Sequence, residues 1–302
     1  MSVEFHPLPV VVREETDDAV SLSFQVPDHL REAFRHRPGQ HVVLRADVDG
    51  EDVRRSYSVC SSANSGELRV GVKRIPHGVF SGYATRTLRT GDTVDVMPPI
   101  GEFTHDCDPA RAAEYVALAA GSGITPILAI ITTILESEPQ SRCTLVYGNR
   151  ASTTIMFLED IEALKDRFPD RLQVIHVLSR EPHEIPLFEG RIDAEKLRSL
   201  TSTLIEADRI DTWFVCGPLD MVETVQSTLD ALGVDAGRIR HELFFDERIE
   251  SIPDAPADAD GLVTMTLTLD GRTSVVDVDP DGPPLLDYAR SARSEVPFAC
   301  KG

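Results

Sequence analysis

Several short stretches of this chain put cations, ring-facing aromatics and hydroxyls at spacings that suit a phosphorylated heterocycle. Arg54-Arg55-Ser56-Tyr57-Ser58 leaves a β-type run with a guanidinium, a flat ring and a hydroxyl close together. Arginine forms a forked, charge-assisted pair with phosphate, tyrosine offers a face to a planar ring, and serine can donate to a ring nitrogen. A plain surface strand also accommodates these residues. Val72-Lys73-Arg74 leads into Gly78-Val79-Phe80-Ser81 at the start of a helical pattern. A helix start presents unpaired N–H groups and a positive dipole end, which suits a pyrophosphate. An ordinary glycine turn with Ser81 as a cap is the competing reading.

Ala119-Ala-Gly121-Ser-Gly123-Ile-Thr125-Pro126 follows an apolar strand and opens a second helix. Two glycines let backbone approach a phosphate, but Pro126 stands where the third glycine of a dinucleotide fingerprint would be. A purely structural tight turn stays open. Ser179-Arg180 follows a later strand, and Arg191 lies eleven residues beyond Arg180. Two guanidiniums near a strand end can hold the ribose 2′-phosphate that separates NADPH from NADH, or be ordinary solvated arginines. Cys216-Gly217-Pro218 ends another strand, where a cysteine usually serves as a small hydrophobe, and Glu242-Leu243-Phe244 follows.

The elements that must carry these residues fall into two rhythms. Up to about residue 105, six β-branched or alternating runs (Val10–Arg13, Val20–Val26, His41–Ala46, Arg55–Val59, Glu67–Lys73, Thr93–Met97) are punctuated by glycine turns. One helix, Val79–Leu88, interrupts them. This predicts a small antiparallel barrel. From about Ala110, apolar strands at Tyr115–Ala120, Thr144–Tyr147, Leu172–Leu178 and Thr212–Cys216 alternate with helical patterns at Ile124–Leu135, Ile155–Arg167, Ala194–Leu200 and Asp220–Leu232. That alternation predicts a parallel α/β sheet. Residues 251–261 read as a Pro/Ala linker, followed by a hairpin over 262–278 and a helix over 284–292. The expected division is 1–107, 108–247, a linker 248–261, and an incomplete unit 262–302.

Bulk composition narrows the function classes. With 50 acids against 30 bases, the net charge of −20 repels nucleic acid and anionic membranes. Residues 246–281 alone hold ten acids and two arginines, a solvated face or a dock for a basic partner. The apolar run Ile124–Leu135 is short of the roughly 18 residues a membrane helix needs. Five cysteines, an odd number without close pairs, and a start lacking signal-peptide features point to a reducing, cytoplasmic compartment.

Taken in order, Arg-x-Tyr-Ser, Gly-x-x-Ser, Gly-x-Gly-x-x-Pro, Ser-Arg, Cys-Gly-Pro and Glu-x-Phe resemble the ferredoxin–NADP reductase superfamily up to about Glu247. More narrowly, Phe5-His-Pro-Leu8, Tyr147-Gly-Asn-Arg150, Ser179-Arg-Glu-Pro182 and Pro297-Phe-Ala-Cys300-Lys-Gly302 look like the reductase subunits of the phenylacetyl-CoA oxygenase (epoxidase) family. The resemblance implies an NADPH-oxidising FAD enzyme that feeds single electrons to the oxygenase component of a multicomponent monooxygenase. It further implies Arg55 on the flavin phosphate, Tyr57 on the isoalloxazine, Ser58 near flavin N5, and Gly78, Phe80 and Ser81 around the FAD pyrophosphate behind Val72 and Lys73. Gly121, Gly123, Thr125 and Pro126 would take NADPH, with Ser179, Arg180 and Arg191 at its 2′-phosphate. Cys216, with Gly217 and Pro218, would sit beside nicotinamide C4, and Glu242 would shape the hydride-transfer site.

Such proteins carry a plant-type [2Fe-2S] domain at the C-terminus. Its ligands follow Cys-x4-Cys-x2-Cys with a distant fourth cysteine, and Cys300 matches only the first. A fragment of a longer protein is therefore expected. Two other readings stay open: the reductase of a ring-hydroxylating dioxygenase, and a non-catalytic nucleotide-binding subunit that docks a partner through its acidic tail.

Overall fold

The computed structural model describes residues 4–244, 263–269, 272–279 and four single positions, 282, 284, 285 and 288. The linker 248–261, Cys300 and most of the expected helix over 284–292 lie outside the described residues. Six antiparallel strands build the first half: β1 (His6–Thr16), β2 (Ala19–Phe24), β3 (His41–Val48), β4 (Glu51–Ser58), β5 (Leu68–Lys73) and β6 (Thr93–Val96). They run in the order β4-β3-β6-β1-β2-β5. The edges β4 and β5 are drawn together just past Ser58, where Val59 bridges Val70 and the Cys60 N–H donates to the Arg69 carbonyl at 2.8 Å. The sheet thereby closes, as barrels do to remove exposed edges. Leu8, Val10, Leu22, Leu44, Val70 and Val96 fill it, and α1 (Val79–Arg86) caps it with Phe80 and Ala84.

In the second half, β7 (Glu114–Ala120), β8 (Arg142–Asn149), β9 (Leu172–Leu178), β10 (Thr212–Pro218) and β11 (Ile239–Phe244) form a wholly parallel sheet in the order β11-β10-β7-β8-β9. The helices α2 (Ile124–Ser137), α3 (Leu158–Arg167), α4 (Ala194–Thr203) and α5 (Leu219–Ala231) connect the strands. The chain winds from β7 toward β9 on one side, then crosses to β10 and β11 on the other. This reversal leaves a crevice at the carboxyl end of β7, where ligands bind in such sheets. The apolar run of α2 is a buried helix packed in the core, and among the described residues no helix is long and apolar enough to cross a membrane.

Three local features depart from or extend the sequence pattern. The edge strand β11 was not among the expected strands, because Arg240, His241 and Glu242 interrupt its apolar run; pairing with β10 imposes it. Helix α3 begins at Leu158 rather than Ile155, because Phe157 is held in the left-handed region at φ 58° with its side chain fully buried. Beyond the second half, β12 (Val263–Leu269) and β13 (Arg272–Val278) pair antiparallel with Leu269 opposite Arg272, as the hairpin pattern predicts.

The halves interlock on one side. A Cβ at Gly71 of β5 would stand 2.7 Å from Thr125 Cγ2 and 2.8 Å from the Phe157 ring, so only glycine lets the barrel seat on α2 and α3. Arg69 pairs with Asp160 at 3.2 Å, and Ser62 donates to Glu136 of α2. The opposite side opens as a cleft.

Candidate functional site

The cleft has a volume of about 1720 Å³ and is walled by both halves. From the barrel come Arg55, Tyr57 and Ser58 at the end of β4, Lys73 at the end of β5, and Gly78 and Ser81 at the start of α1. From the parallel sheet come Gly121 and Thr125 after β7, Ser179 and Arg180 after β9, Arg191, Pro218 after β10, and Glu242 on β11. Residues scattered along the sequence therefore face one space.

Other expected residues lie behind this surface. Val72 and Phe80 are fully buried in the barrel core, and Phe80 backs the Tyr57 ring at a centroid distance of 5.4 Å. Pro126 is buried in the first turn of α2, where its missing N–H leaves no helix bond unmade. Gly123 is buried, and a Cβ there would stand 2.3 Å from the Cys216 carbonyl oxygen. Its smallness serves the packing of the β7–α2 turn on β10. Gly121, at φ 54° with open space where a Cβ would project, is the glycine on the cleft surface. Cys216 has 0% exposure and does not line the cleft, and Gly217 lies behind it as well.

A hydrogen bond joins the two halves across the cleft. Ser58 Oγ donates to Glu242 Oε2 at 3.1 Å, joining residues 184 positions apart. Glu242 stands beside Cys216 in the β10–β11 register. Burial pushes the Glu242 carboxyl up to about 7, and the Ser58 hydrogen bond offsets part of that rise. At neutral pH this carboxyl is poised between its two forms.

The electrostatics of the cleft run against those of the chain. Arg74, Arg86, Arg150, Arg180 and Arg191 line it, and none forms an ion pair among the described residues. Elsewhere Arg37, Arg45, Arg69 and Arg167 are matched with carboxylates. Helices α1, α2 and α5 all begin at the cleft, and no side chain caps any of them. Unpaired cations and helix starts together favour a polyanion. Asn149, which lines the cleft at the end of β8, holds a buried Nδ2 with no hydrogen-bond partner. The donor set, the open space at Gly82 and Gly121, and this orphaned amide fit a pair of dinucleotides.

Sequence reasoning assigned no site role to Arg74, Arg86, Asn149 or Arg150, although Arg74, Asn149 and Arg150 stand in motifs quoted above. Asn149 and Arg150 end a strand just as Ser179 and Arg180 follow one, which is the signal that marks them. A separate cluster, His105, Cys107 and Glu138, brings possible metal-ligand atoms within 4.8 Å of one another. There Glu138 already accepts from Arg111 at 2.7 Å, Ser141 at 2.7 Å and Tyr115 at 2.9 Å. A guanidinium occupies the place of a cation on Glu138, while His105 Nδ1 stays buried with no hydrogen-bond partner.

A barrel joined to a parallel sheet, with a cationic cleft at the switch point, defines a flavin and nicotinamide dinucleotide oxidoreductase. Residues 8–105 match the oxidoreductase FAD-binding domain family and residues 117–227 the oxidoreductase NAD-binding domain family. The chain is 44% identical over 299 residues to a 1,2-phenylacetyl-CoA epoxidase component of Escherichia coli (strain K12), covering 99% of this chain and 84% of that protein. It is 32% identical to the ferredoxin reductase component of 3-ketosteroid-9-alpha-monooxygenase of Rhodococcus rhodochrous, over 96% of this chain and 80% of that protein. The FAD/NAD-binding domain of the nitric oxide dioxygenase of Vibrio cholerae O1 biovar El Tor superposes with a TM-score of 0.67 at 25% identity, covering 79% of this chain and 98% of that one. A ferredoxin NADP+ reductase from Neisseria gonorrhoeae shares the fold, with a TM-score of 0.65 at 19% identity over 80% of this chain and 99% of that one. The chain belongs to the ferredoxin–NADP reductase family and is an NAD(P)H-dependent FAD oxidoreductase.

Proposed function

We propose that this protein takes electrons from NADPH through FAD and passes them to the oxygenase component of a multicomponent oxygenase, the phenylacetyl-CoA epoxidase. The hydrogen bond from Ser58 to Glu242 carries the reading, because it joins the flavin-side and nicotinamide-side residues in one cleft. The likeness to the Escherichia coli epoxidase component supports the choice of partner. When bound, FAD accepts a hydride from the nicotinamide and releases the electron pair singly.

The chain's own residues bind and orient. Arg55 and the first turn of α1, from Gly78 to Ser81, hold the flavin phosphates, and Tyr57, braced by Phe80, packs on the ring. Lys73 adds positive charge behind them. Gly121 and Thr125 take the nicotinamide dinucleotide's pyrophosphate at the start of α2, and Ser179, Arg180 and Arg191 its 2′-phosphate. Cys216 and Gly217, buried behind the cleft, and Pro218, which lines it, set the depth at which the nicotinamide stops. Ser58 and Glu242 hold a proton between Oγ and Oε2 beside the place of the reacting rings.

The division is residues 1–107 for FAD, 108–247 for NADPH, a linker 248–261, and 262–302 as ferredoxin-like sequence. Where the chain continues past Gly302, Cys300 would be the first ligand of a [2Fe-2S] cluster. The odd cysteine count and the free thiols of Cys60, Cys107 and Cys143 support a cytoplasmic setting. FAD-loaded protein is expected to reduce ferricyanide with NADPH. A yellow, FAD-loaded preparation inert in that assay would overturn the reading. Reduction of a ring-hydroxylating dioxygenase in preference to the epoxidase would overturn the partner alone.

A further inference from the structure

The interlock between the halves meets the cleft at Gly71 of β5. Successive strand residues face opposite ways, so Arg69, Gly71 and Lys73 share one face of β5. Arg69 crosses to α3, where it pairs with Asp160 at 3.2 Å and stands over the Phe157 ring at 5.5 Å. Lys73 lines the cleft. Gly71 lies between them, and a Cβ there would stand 2.7 Å from Thr125 Cγ2 and 2.8 Å from Phe157 Cζ. The backbone of β5 therefore rests directly on the side chains of Thr125 and Phe157.

Both sides of this contact are held. On the barrel side, Gly71 pairs with Ser21 of β2, and the Arg69 carbonyl accepts from the Cys60 N–H at 2.8 Å, two residues beyond Ser58. Gly71 and Ser58 thus belong to one hydrogen-bonded frame. On the other side, Thr125 Oγ1 donates to the Ser122 carbonyl at 3.0 Å, and the Tyr147 hydroxyl donates to the Gly121 carbonyl at 2.9 Å. Thr125, Tyr147 and Phe157 are all buried, which ties the 121–123 turn and the start of α2 into a second frame. The closeness of the Gly71 contact then fixes how far the flavin-side residues stand from the nucleotide turn. Apolar atoms pack at roughly 3.5–4.0 Å, so a methyl group at position 71 would part the two frames by about 0.8 Å or more. Hydride transfer responds to a change of that size. The reacting atoms must approach within about 3–3.5 Å, and a misplacement of about 1 Å can cost on the order of a hundredfold. Affinity for either dinucleotide responds far less, because each is held within one frame.

We propose that Gly71 is a positioning residue for hydride transfer, its missing side chain setting the separation of nicotinamide and flavin through Thr125 and Phe157. The proposal rests on the NADPH-to-FAD reading above and adds to it the element that sets the distance of approach.

Gly71→Ala in FAD-loaded protein tests this by anaerobic stopped-flow reduction with NADPH, beside fluorescence titration of FAD and calorimetric titration of 2′,5′-ADP, which reports the nucleotide half alone. The rate constant for flavin reduction at saturating NADPH is expected to fall about tenfold or more, while the affinities for FAD and 2′,5′-ADP stay within about twofold. A Thr125→Ser/Phe157→Leu background removes the atoms the new methyl meets and keeps the hydroxyl on Ser122. There the same substitution is expected to cost about threefold or less. Equal rate constants for parent and Gly71→Ala, or the same loss in both backgrounds, overturn the role of Gly71 and leave the reading of the site intact. A rate loss matched by equal losses of FAD or 2′,5′-ADP affinity does so too. If Gly71→Ala holds no FAD, the triple variant decides: FAD binding with a reduction rate within about threefold of its background supports the spacing, and any other result overturns it. A parent protein whose bound FAD is not reduced by NADPH overturns the NADPH-to-FAD reading itself.

Discussion

Replacing Glu242 with glutamine is expected to raise stability at alkaline pH while impairing turnover. The carboxyl sits at about 7 in the fold against an ordinary 4.5. Each tenfold change in proton affinity is worth ~1.4 kcal/mol, so about 3 kcal/mol of stability is withheld above pH 7. The sign follows from proton counts. Below 4.5 both folded and unfolded chains are protonated here, and the residue is neutral toward stability. Between 4.5 and 7 the unfolded chain releases the proton while the folded chain keeps it, so stability falls as pH rises. Above 7 both are ionised and the full penalty stands. Glutamine cannot ionise yet still accepts from Ser58 Oγ, so Glu242→Gln leaves the cross-cleft hydrogen bond in place and removes the penalty. Urea unfolding of the flavin-free chain at pH 5 and pH 8 measures the difference. The variant's advantage should grow between those two values by roughly 2–3 kcal/mol. Parallel profiles for parent and variant would refute the claim that burial raises this carboxyl, and with it the proton-holding role given to the Ser58–Glu242 pair.

Three further outcomes test other parts of the cleft. Arg180→Ala should raise the KM for NADPH far more than that for NADH, by a factor equivalent to about 1.5–3 kcal/mol for a lost charge-assisted contact; equal losses would remove its 2′-phosphate role. Gly123→Ala should destabilise the fold by about 3 kcal/mol or more in urea titration, because its Cβ would meet the Cys216 carbonyl at 2.3 Å and backbone must shift. Gly82→Ala should do the reverse in the flavin-free chain, adding about 0.5–1 kcal/mol through helix propensity where nothing lies within 4 Å, yet weaken FAD binding measured by fluorescence titration.

Local chemistry was legible in the sequence wherever it depends on neighbours along the chain. Alternation in the first hundred residues announces strands, and the strand–helix alternation after Ala110 announces a parallel sheet, because side-chain period reports which face is buried. Turn glycines, the buried character of α2, and the strand-end positions of Gly121, Ser179 and Cys216 follow from the same local rules. The order of these motifs was enough to point to the family. Tertiary structure alone decided how they meet. The hydrogen bond between Ser58 and Glu242 depends on the register of β11 against β10 and on Gly71 seating the barrel against α2 and α3, none of which is a property of one segment. The two glycines of Gly121-Ser-Gly123 look alike in sequence, yet one meets the cleft and the other meets a carbonyl of β10, because only packing determines what each approaches. Arg150 and Arg180 lie thirty positions apart in sequence and meet only because the ends of β8 and β9 advance together, the Arg180 N–H donating to the Arg150 carbonyl at 2.7 Å. Burial and long-range pairing are set by the whole fold, and they raise the Glu242 carboxyl and concentrate positive charge within an acidic protein.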